Sequence, residues 1–451
     1  MSEQRRFLLS DNQIPTTWFN VKPHLPNGCP PPLHPGTKQP VGPEDLAALF
    51  PAGLIEQETT LAPEVDIPGE IIDKYRLWRP TPLVRAVGLE RALDTPARIY
   101  YKYEGVSPVG SHKTNSSIPQ VYYNMLEGRR RVTTETGAGQ WGAALALAAE
   151  QYGLACDIWM VKVSYHQKPG RRTLMRAFGA TVRPSPSPET EAGRRILAEH
   201  PDSPGSLGIA ISEAVEVAAQ DPTASYALGS VLDHVILHQT IVGQEVRLQL
   251  EMAGEEPDVM LACAGGGSNF GGFALPFVPD RVKRPGLRLV AVEPAACPSL
   301  TRGVYAYDFG DMIGLTPLLK MHTLGSQFVP PPVHAGGLRF HAMSPLVSAA
   351  YDQGLIEATS VKQREVFEAA LAFTRTEGIL PAPESSHAIC AAMKEAVRCR
   401  EEGKSECIVV NVSGHGFLDT SSYDSYLDGT LEDYEYPAEE IAAAMASLPQ
   451  V

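Results

Sequence analysis

The sequence lacks the patterns that mark metal-binding, disulfide-stapled and membrane-spanning proteins. Its seven cysteines are an odd number, they are scattered along the chain, and none has the Cys-x-x-Cys spacing of a zinc site. No apolar run approaches the roughly 20 residues that a membrane-spanning helix needs. The first residues, MSEQRRFLLSDNQ, have no apolar core long enough for a signal peptide. These absences predict a protein of a reducing, cytoplasmic setting that neither spans a membrane nor binds zinc.

Positive charge is also in short supply. The chain has 38 lysines and arginines against 52 aspartates and glutamates, which gives a formal net charge of -14. An acidic chain is a poor match for a phosphate backbone, so nucleic-acid binding is not expected. Basic runs are short, and the run GRRRV at residues 128–132 is interpreted as a solvated turn before a strand.

Two loops and one serine resemble common catalytic signatures without completing them. The glycine run at residues 265–267 is not followed by the Gly-Lys-Ser/Thr of a Walker A loop. The loop at residues 137–142 satisfies Gly-x-Gly-x-x-Gly, but the next strand ends in Lys-Val at 162–163 instead of the acid that holds a ribose. No Gly-x-Ser-x-Gly surrounds Ser413. An NAD enzyme and a Ser-His-Asp hydrolase are therefore both disfavoured.

Alternating strand and helix patterns are present from about residue 99 onward. Apolar runs that alternate with helical periods predict βαβ units in parallel sheets covered on both faces, which is an α/β fold. Strands are predicted at RIYYKYEG, RRVTTET, ACDIWMVKV, TVRPS, DVMLACAGG, LRLVAVEP and ECIVVNVSG. Helices are predicted at KTNSSIPQVYYNMLEG, QWGAALALAAEQYG, QKPGRRTLMRAFGA, HQTIVGQEVRLQLEM, KQREVFEAALAFTRTEG and SSHAICAAMKEAVRCR. Ligands of such sheets bind at the carboxyl ends of the strands.

A proline-rich arm precedes this body, over residues 1 to about 75. Proline-rich stretches are often disordered linkers, but this one carries Trp18, Phe19 and Leu25, so we expect it to pack on the body. One short helix is predicted in it, near PEDLAALF.

Four features at predicted strand ends are candidates for chemistry. The loop LACAGGGSNFGG at residues 261–272 can bring backbone amides close to a phosphate, or it is a tight turn without a ligand. Glu135 is a candidate general acid and base if burial raises its pKa; otherwise it is a surface or capping residue. Amides after Glu135 can hold a carboxylate. Lys113 and Ser413 each have an ordinary alternative, a solvated lysine and a turn serine.

Taken together, a phosphate loop, a pocket carboxylate and a lysine suit pyridoxal 5'-phosphate (PLP). A lysine amine condenses with the PLP aldehyde to form a Schiff base, while a glycine loop holds the phosphate.

The sequence resembles the β-subunits of tryptophan synthase, which are fold-type II PLP enzymes, and in particular their second, longer class. The motifs run in the family's order from residue 78 to 419: WRPTPL, EGVSPVGSHKTNS, ETGAGQWG, HQTIVGQE, CAGGGSNFGG, HAGGLRFHAMSP, PAPESSHA and VSGHGFLD. The proline-rich arm and the closing SYLDGTLEDYEYP also fit the long class. The resemblance implies two doubly wound α/β domains with the cofactor in the cleft between them.

The resemblance also implies where those domains lie. Residues 1–75 would be the arm, and residues 76–228 mainly the smaller N-terminal domain with a mobile loop for the substrate carboxylate. Residues 229–451 would be the C-terminal domain with the phosphate-binding glycine loop. The segment around residues 79–112 is expected to cross to the other domain.

Family roles fall on matched positions. Lys113 would form the Schiff base and later act as acid and base at the substrate α-carbon. Glu135 would protonate the departing hydroxyl of L-serine and accept a proton as indole attacks. Ser413 would hydrogen-bond the pyridine nitrogen without forcing its protonation, which favours β-elimination over transamination. The other cofactor contacts would be His112, Ser230, Gly265, Gly266, Gly267, Ser268, Asn269 and Glu384. The substrate contacts would be Thr136, Gly137, Ala138, Gly139, Gln140, Trp141 and Arg339.

The implied activity is that of a PLP-dependent carbon–oxygen lyase that forms L-tryptophan from L-serine and indole, as in indole salvage. A homodimer and a monovalent cation, Na⁺ or K⁺, are expected by resemblance. Trp141 stands where the short class usually has histidine, and Arg339 lies near the place of an acid that orients the serine hydroxyl. These departures leave open whether the donor is L-serine or phosphoserine, since arginine is a natural partner of an anion. They also leave open whether an α-subunit binds.

Two other functions compete with this interpretation. A PLP-dependent serine or phosphoserine β-elimination, another β-replacement, or a dehydratase would use the same fold, but Glu135 argues against a plain deaminase. A non-catalytic scaffold subunit would keep the fold without the chemistry, but Lys113, the glycine loop and Ser413 argue against that.

Overall fold

The computed structural model of the chain describes residues 4–451. Its α-helices are α1 (Pro43–Leu46), α2 (Ala52–Thr59), α3 (Gly69–Tyr75), α4 (Val87–Ala92), α5 (Thr114–Leu126), α6 (Gln140–Tyr152), α7 (Lys162–Gln167), α8 (Pro169–Ala177), α9 (Glu191–Glu199), α10 (Leu207–Gln220), α11 (Asp233–Gln239), α12 (Ile241–Ala253), α13 (Ser268–Ala274), α14 (Val278–Lys283), α15 (Ser299–Arg302), α16 (Pro345–Asp352), α17 (Gln363–Glu377), α18 (Pro383–Glu402), α19 (Thr420–Leu427) and α20 (Ala438–Met445). Within residues 4–451, none of these helices combines the length and the apolar character that crossing a bilayer takes.

The β-strands are β1 (Arg6–Phe7), β2 (Thr17–Phe19), β3 (Glu64–Asp66), β4 (Leu83–Arg85), β5 (Arg98–Tyr103), β6 (Arg131–Thr136), β7 (Ala155–Val161), β8 (Thr181–Ser185), β9 (Ala224–Tyr226), β10 (Val259–Cys263), β11 (Arg288–Pro294), β12 (Val304–Phe309), β13 (Leu318–Thr323), β14 (Glu357–Val361) and β15 (Cys407–Val412). They form two larger sheets and two small antiparallel pairs, β2 with β3 and β12 with β13.

The larger sheet has seven strands in the order β1-β4-β5-β15-β10-β11-β14. The strands from β5 to β14 run parallel, and β4 and β1 are antiparallel additions at one edge. In the centre, Cys407 of β15 lies opposite Arg98 of β5, and Val409 lies opposite Met260 of β10. Strands β10 and β15 are buried along their whole length, as apolar strands covered on both faces must be.

The smaller sheet has four parallel strands in the order β8-β7-β6-β9. Arg131 at the start of β6 lies opposite both Ala155 of β7 and Ala224 of β9. Helix α6 follows β6 and is buried from Gln140 to Ala149, because alanines and leucines cover it on every side. It ends at Gly153, whose φ of 73° places it in the left-handed conformation favoured at helix C-termini.

The N-terminal arm packs on the body from residue 6 onward. Trp18 is fully buried and its ring lies 4.6 Å from the ring of His238, measured between centroids. The Phe19 amide donates to Thr240 Oγ1 at 3.0 Å. Leu25 is buried as well. The packing expected from these apolar residues is therefore present.

The predicted α/β fold and each predicted strand and helix are present, but one boundary differs and many elements were not predicted, strands β9 and β14 among them. Lys162 was expected to end β7, but it begins helix α7. Helices α2, α9 and α10 and the β12–β13 pair were not predicted. Helix α10 has the sequence LGIAISEAVEVAAQ and is buried on most sides, so its apolar residues lack the one-sided period of a surface helix.

Candidate active site

A cleft with an empty volume of about 780 Å³ lies where the carboxyl ends of β6, β10 and β15 meet. Glu135 and Thr136 end β6, Cys263 ends β10 and Ser413 directly follows β15, and all four line the cleft.

Lys113 directly precedes α5, and its side chain lines the cleft. Its Nζ donates to Ser268 Oγ at 2.9 Å and to the carbonyl oxygen of Gly229. Burial lowers the pKa of Lys113 to about 8, although the charges of Glu135 and Glu384 act in the opposite direction. A larger share of the amine is therefore neutral near pH 8 than in water, and a neutral amine is the nucleophilic form.

The glycine run at residues 265–267 leaves no room for side chains. A Cβ at Gly265 would lie 2.8 Å from the Gly337 carbonyl oxygen, and a Cβ at Gly266 would lie 2.5 Å from Ser230 Oγ. Gly267 has a φ of +102°, which glycine adopts readily. The run lines the cleft without side chains, so its amides can approach an anion there.

His112 and Ser413 also line the cleft and are joined by a backbone hydrogen bond. The His112 amide donates to the Ser413 carbonyl oxygen at 2.9 Å. Burial and the charge of Lys113 lower the pKa of His112 well below its ordinary value, so the imidazole is neutral. Within residues 4–451, its buried Nε2 has no hydrogen-bond partner. The buried Oε2 of Glu384 also lacks one in that range, while Oε1 accepts from the Gly337 amide at 2.9 Å.

Glu135 is buried and has one strong side-chain partner. The hydroxyl of Tyr226 donates to Glu135 Oε2 at 2.6 Å. Burial raises the pKa of Glu135 to about 7, although the Tyr226 hydrogen bond and Lys113 act in the opposite direction. A carboxyl group with a pKa near 7 can give up and regain a proton at neutral pH.

The loop after Glu135 turns sharply into helix α6. Gly139 is left-handed with a φ of +98°, and a Cβ there would lie 2.8 Å from the Cβ of Arg171. The amide of Gly142 donates to Thr136 Oγ1 at 3.1 Å, and Trp141 Nε1 donates to Thr134 Oγ1 at 2.7 Å. The start of α6 is therefore tied to β6 at two points, through one backbone amide and one side chain.

Nearly all residues singled out in the sequence line this one cleft. Gly139 and Arg339 are the exceptions, since neither is part of its lining. Arg339 is buried beside the cleft wall at Gly336, and its Nη2 donates to Ser164 Oγ at 2.5 Å. It borders a smaller pocket that shares Gly137, Leu207 and Gly336 with the cleft.

Several site residues were not found from the sequence. Tyr226 lies on β9 and reaches Glu135 only because β9 pairs with β6, which no local pattern reveals. Ser385 contacts Ser413 from helix α18; it lies inside the motif PAPESSHA, which could have drawn attention to it. Val231 has a φ of +76°, which is strained for a β-branched residue, next to Ser230.

An apolar cavity adjoins the site behind Tyr226. Its empty volume is about 740 Å³, and its lining combines body residues with residues of the arm. The arm residues are Pro32, Leu46, Leu49, Phe50, Leu54, Ile55 and Glu58. The body contributes Ile211, Tyr226 and Leu228, among others.

Lysine, glycine run and strand-end serine in one cleft define the class of α/β protein that binds PLP through a lysine. Residues 75–414 match the family described as "Pyridoxal-phosphate dependent enzyme". The chain belongs to that family and, within it, to the tryptophan synthase β chains, as its relatives establish.

Two relatives illustrate the likeness. The chain is 57% identical over 431 residues to "Tryptophan synthase beta chain 2" of Methanosarcina mazei, which covers 95% of this chain and 98% of the relative. It is 58% identical over 415 residues to the protein of the same name from Thermotoga maritima, with 92% and 98% covered. The family predicted from the motifs is confirmed.

A solved structure supports the fold. The processed form of threonine deaminase isoform 2 from Solanum lycopersicum superposes with a TM-score of 0.56, covering 77% of this chain and 87% of that one, at 19% identity. At that identity the likeness concerns the fold alone, and it confirms the predicted fold class.

The residues of the cleft fit PLP. Lys113 offers an amine with a lowered pKa, and the glycine run, which is packed too closely for any Cβ, lines the cleft with backbone atoms. The unpartnered His112 Nε2 and Glu384 Oε2 are polar atoms that a bound polar group would satisfy. The predicted cofactor agrees with the family.

Proposed function

We propose that this chain forms L-tryptophan from L-serine and indole, with PLP bound in the cleft and Lys113 and Glu135 as its catalytic residues. The observation that carries the proposal is the placement of these two side chains on one cleft, with pKa values of about 8 and about 7. The apolar cavity is lined by Tyr226, the hydrogen-bond partner of Glu135, and its apolar walls would suit an apolar nucleophile such as indole.

Several parts of the cleft would bind the cofactor. When bound, PLP supplies an aldehyde that joins to an amine and a ring that withdraws electrons from the substrate α-carbon. Residues 265–269 and Ser230 would hold the phosphate through amides and hydroxyls, together with His112. Ser413 would hydrogen-bond the pyridine nitrogen, and Glu384 would lie near the ring. Lys113 would provide the covalent attachment.

Proton transfers fall to Lys113 and Glu135. Lys113 Nζ, when it is free, would take the proton from the substrate α-carbon. Glu135 in its protonated form gives a proton to the hydroxyl oxygen of L-serine, which leaves as water. The carboxylate so formed then takes a proton as C3 of indole attacks the β-carbon. Amides of residues 136–141 hold the substrate carboxylate throughout.

Phosphoserine is a second candidate donor, and Arg339 supports it. Burial lowers the pKa of Arg339. Its Nη2 donates to the neutral Ser164 hydroxyl, and its guanidinium forms no ion pair with a carboxylate among residues 4–451. An arginine in that state would bind a phosphate well. For this donor, phosphate leaves instead of water.

The proposal also covers the domains, the oligomeric state and a monovalent cation. The smaller sheet would belong to a smaller domain over residues 76–228 with a mobile carboxylate loop, and residues 229–451 would form the other domain. The chain would act as a homodimer and use Na⁺ or K⁺. Family resemblance supports these points.

The function is tested by the absorption spectrum of the purified protein loaded with PLP. The spectrum is recorded before L-serine is added, after L-serine and then after indole, and tryptophan is measured by chromatography. We expect a visible cofactor band that shifts with L-serine and returns with indole as tryptophan appears. A band that responds to phosphoserine alone would redirect the donor. Pyruvate without tryptophan would indicate a dehydratase, and failure to bind PLP would indicate a scaffold. Lys113→Ala should lose turnover by a factor of about 10³ or more.

A further inference from the structure

A pair of buried serine hydroxyls lies at the floor of the cleft. Ser385, in the first turn of α18, has its Oγ 2.8 Å from the Oγ of Ser413. Both side chains are buried, with Ser385 fully enclosed. Two hydroxyls at this distance share one hydrogen, so one of them donates and the other accepts.

The neighbouring atoms decide which hydroxyl donates. The Gly414 amide donates to Ser385 Oγ at 3.1 Å, so Ser385 already accepts one hydrogen bond. Its own hydrogen can point to Ser413 Oγ at 2.8 Å or to the Gly414 carbonyl oxygen at 3.5 Å. The shorter contact is the better bond, and 3.5 Å is at the limit of hydrogen bonding. Ser385 therefore donates to Ser413.

This direction leaves the hydrogen of Ser413 free. The remaining side-chain neighbour is Cys263, whose Sγ lies 3.7 Å from Ser413 Oγ and already accepts from Asn269 Nδ2 at 3.2 Å. Sulfur is a weak acceptor, so it does not compete with a nitrogen lone pair. The backbone of Ser413 is also fixed, since its carbonyl oxygen accepts from the His112 amide at 2.9 Å.

We infer that Ser385 is a positioning residue that orients the Ser413 hydroxyl to donate into the cleft, so that the cofactor ring nitrogen is held unprotonated. This inference rests on the proposed function, in which Ser413 faces the pyridine nitrogen. The chain Gly414 N–H to Ser385 to Ser413 runs in one direction, and each bond strengthens the next. An unprotonated ring withdraws fewer electrons, which favours replacement at the β-carbon over transamination.

The test uses holoenzyme loaded with PLP carrying ¹⁵N in the ring, and its readout is the ¹⁵N resonance. In the wild type we expect the resonance of an unprotonated, hydrogen-bonded pyridine. In Ser385→Ala we expect it to move toward that of a pyridine without a hydrogen bond. PLP affinity should fall by about two- to tenfold, the effect of one neutral hydrogen bond.

Ser386→Ala is the matched control. Ser386 is the next residue of the same helix, is buried, and donates to the Ala382 carbonyl oxygen at 2.9 Å without contacting Ser413. We expect this variant to keep the wild-type resonance. Ser385→Thr keeps a hydroxyl and should restore most of the wild-type resonance.

Two results would overturn the inference. A protonated ring nitrogen in the wild type would do so without any variant, even if Ser385→Ala fails to fold. An unchanged resonance in folded Ser385→Ala, with a shift in Ser413→Ala, would remove the role of Ser385 but keep that of Ser413. No shift in Ser413→Ala would instead reject the proposed contact of Ser413 with the cofactor.

Discussion

Tyr226 tunes the acid–base behaviour of Glu135 through one hydrogen bond. Because that bond stabilises the charged carboxylate, it holds the pKa of Glu135 below the value that burial alone would give. Tyr226→Phe should raise the pKa of Glu135, so the limb of the pH–rate profile that reports its deprotonation should move to higher pH. The profile of kcat/KM for indole measures this shift. An unmoved limb would mean that Glu135 does not titrate in the observed step.

Glu135 also lowers the stability of the folded state at high pH. Its folded pKa of about 7 lies above the ordinary 4.5, so its contribution to stability is full below pH 4.5 and is lost as the pH rises through 7. Glu135→Gln should therefore raise the free energy of unfolding of the apoprotein by about 1–3 kcal/mol at pH 9 and change it little at pH 4. Denaturant unfolding at pH 9 and pH 4 measures the change in the free energy of unfolding. Equal changes at the two pH values would contradict the raised pKa of Glu135. Turnover should be lost.

Sequence reasoning at the residue scale succeeded where the signal was local. Lys113 directly precedes helix α5, Glu135 lies at the end of β6 and Ser413 directly follows β15, and their neighbours in the sequence belong to distinctive motifs. Tyr226 escaped because its contact with Glu135 arises from strand pairing between distant segments. The placement of Arg339 outside the cleft lining escaped for a similar reason, since a motif gives the segment but not the direction of a long side chain.

Among the structural elements, the glycine run offers the sharpest test of the phosphate site. A Cβ at Gly266 would lie 2.5 Å from Ser230 Oγ and 2.7 Å from its Cβ, so Gly266→Ala must displace that loop. We expect PLP affinity to fall by about tenfold or more, equivalent to about 1.4 kcal/mol, while the fold persists. Fluorescence titration of the apoprotein with PLP measures the affinity.

Gly286→Ala is the control for that substitution. A Cβ at Gly286 would have no heavy atom within 4 Å, and its φ is not in the left-handed region. PLP affinity should stay at the wild-type value. Equal losses in both variants would show that the effect of Gly266→Ala is not local to the loop.

The elements themselves were predictable to the extent that each had a one-sided or uniformly apolar pattern bounded by glycine or proline. Helix α6 and strand β10 satisfy this condition. The β12–β13 pair does not, because its half-buried strand Val304–Phe309 mixes tyrosines and an aspartate without a clean alternation. The arm helix α2 is short, and a helix of eight residues depends on tertiary packing.

At the scale of the whole molecule, a buried network of four charges joins separate parts of the fold. The four side chains are fully buried and form three ion pairs. Arg79 pairs with both Glu104 and Glu245, and Lys102 Nζ lies 2.6 Å from Glu245 Oε2. Burial lowers the pKa of Lys102. Such a network is costly to assemble and more costly to break at one member.

Lys102→Met should therefore lower the free energy of unfolding by about 3–5 kcal/mol, because it leaves an uncompensated negative charge inside the protein. Denaturant unfolding measures this loss. The exposed pair Arg195–Glu199, whose side chains are 66% and 57% exposed, is the comparison. Arg195→Ala should change stability by less than about 0.5 kcal/mol. Similar effects of the two substitutions would refute the assigned role of the network.

The strand order of the larger sheet also constrains how the chain can be assembled during synthesis. Strand β15 is the last strand made, yet it lies between β5 and β10 in the middle of the sheet. The 300 residues between Lys113 and Ser413 take about 15–60 seconds to translate at 5–20 residues per second. Throughout that time β5 lacks its central neighbour, and β10 lacks the same neighbour once it has been made, so both strands have open edges that are exposed to wrong pairing. Ribosome-bound chains that end before residue 407 should therefore need chaperones and bind no cofactor.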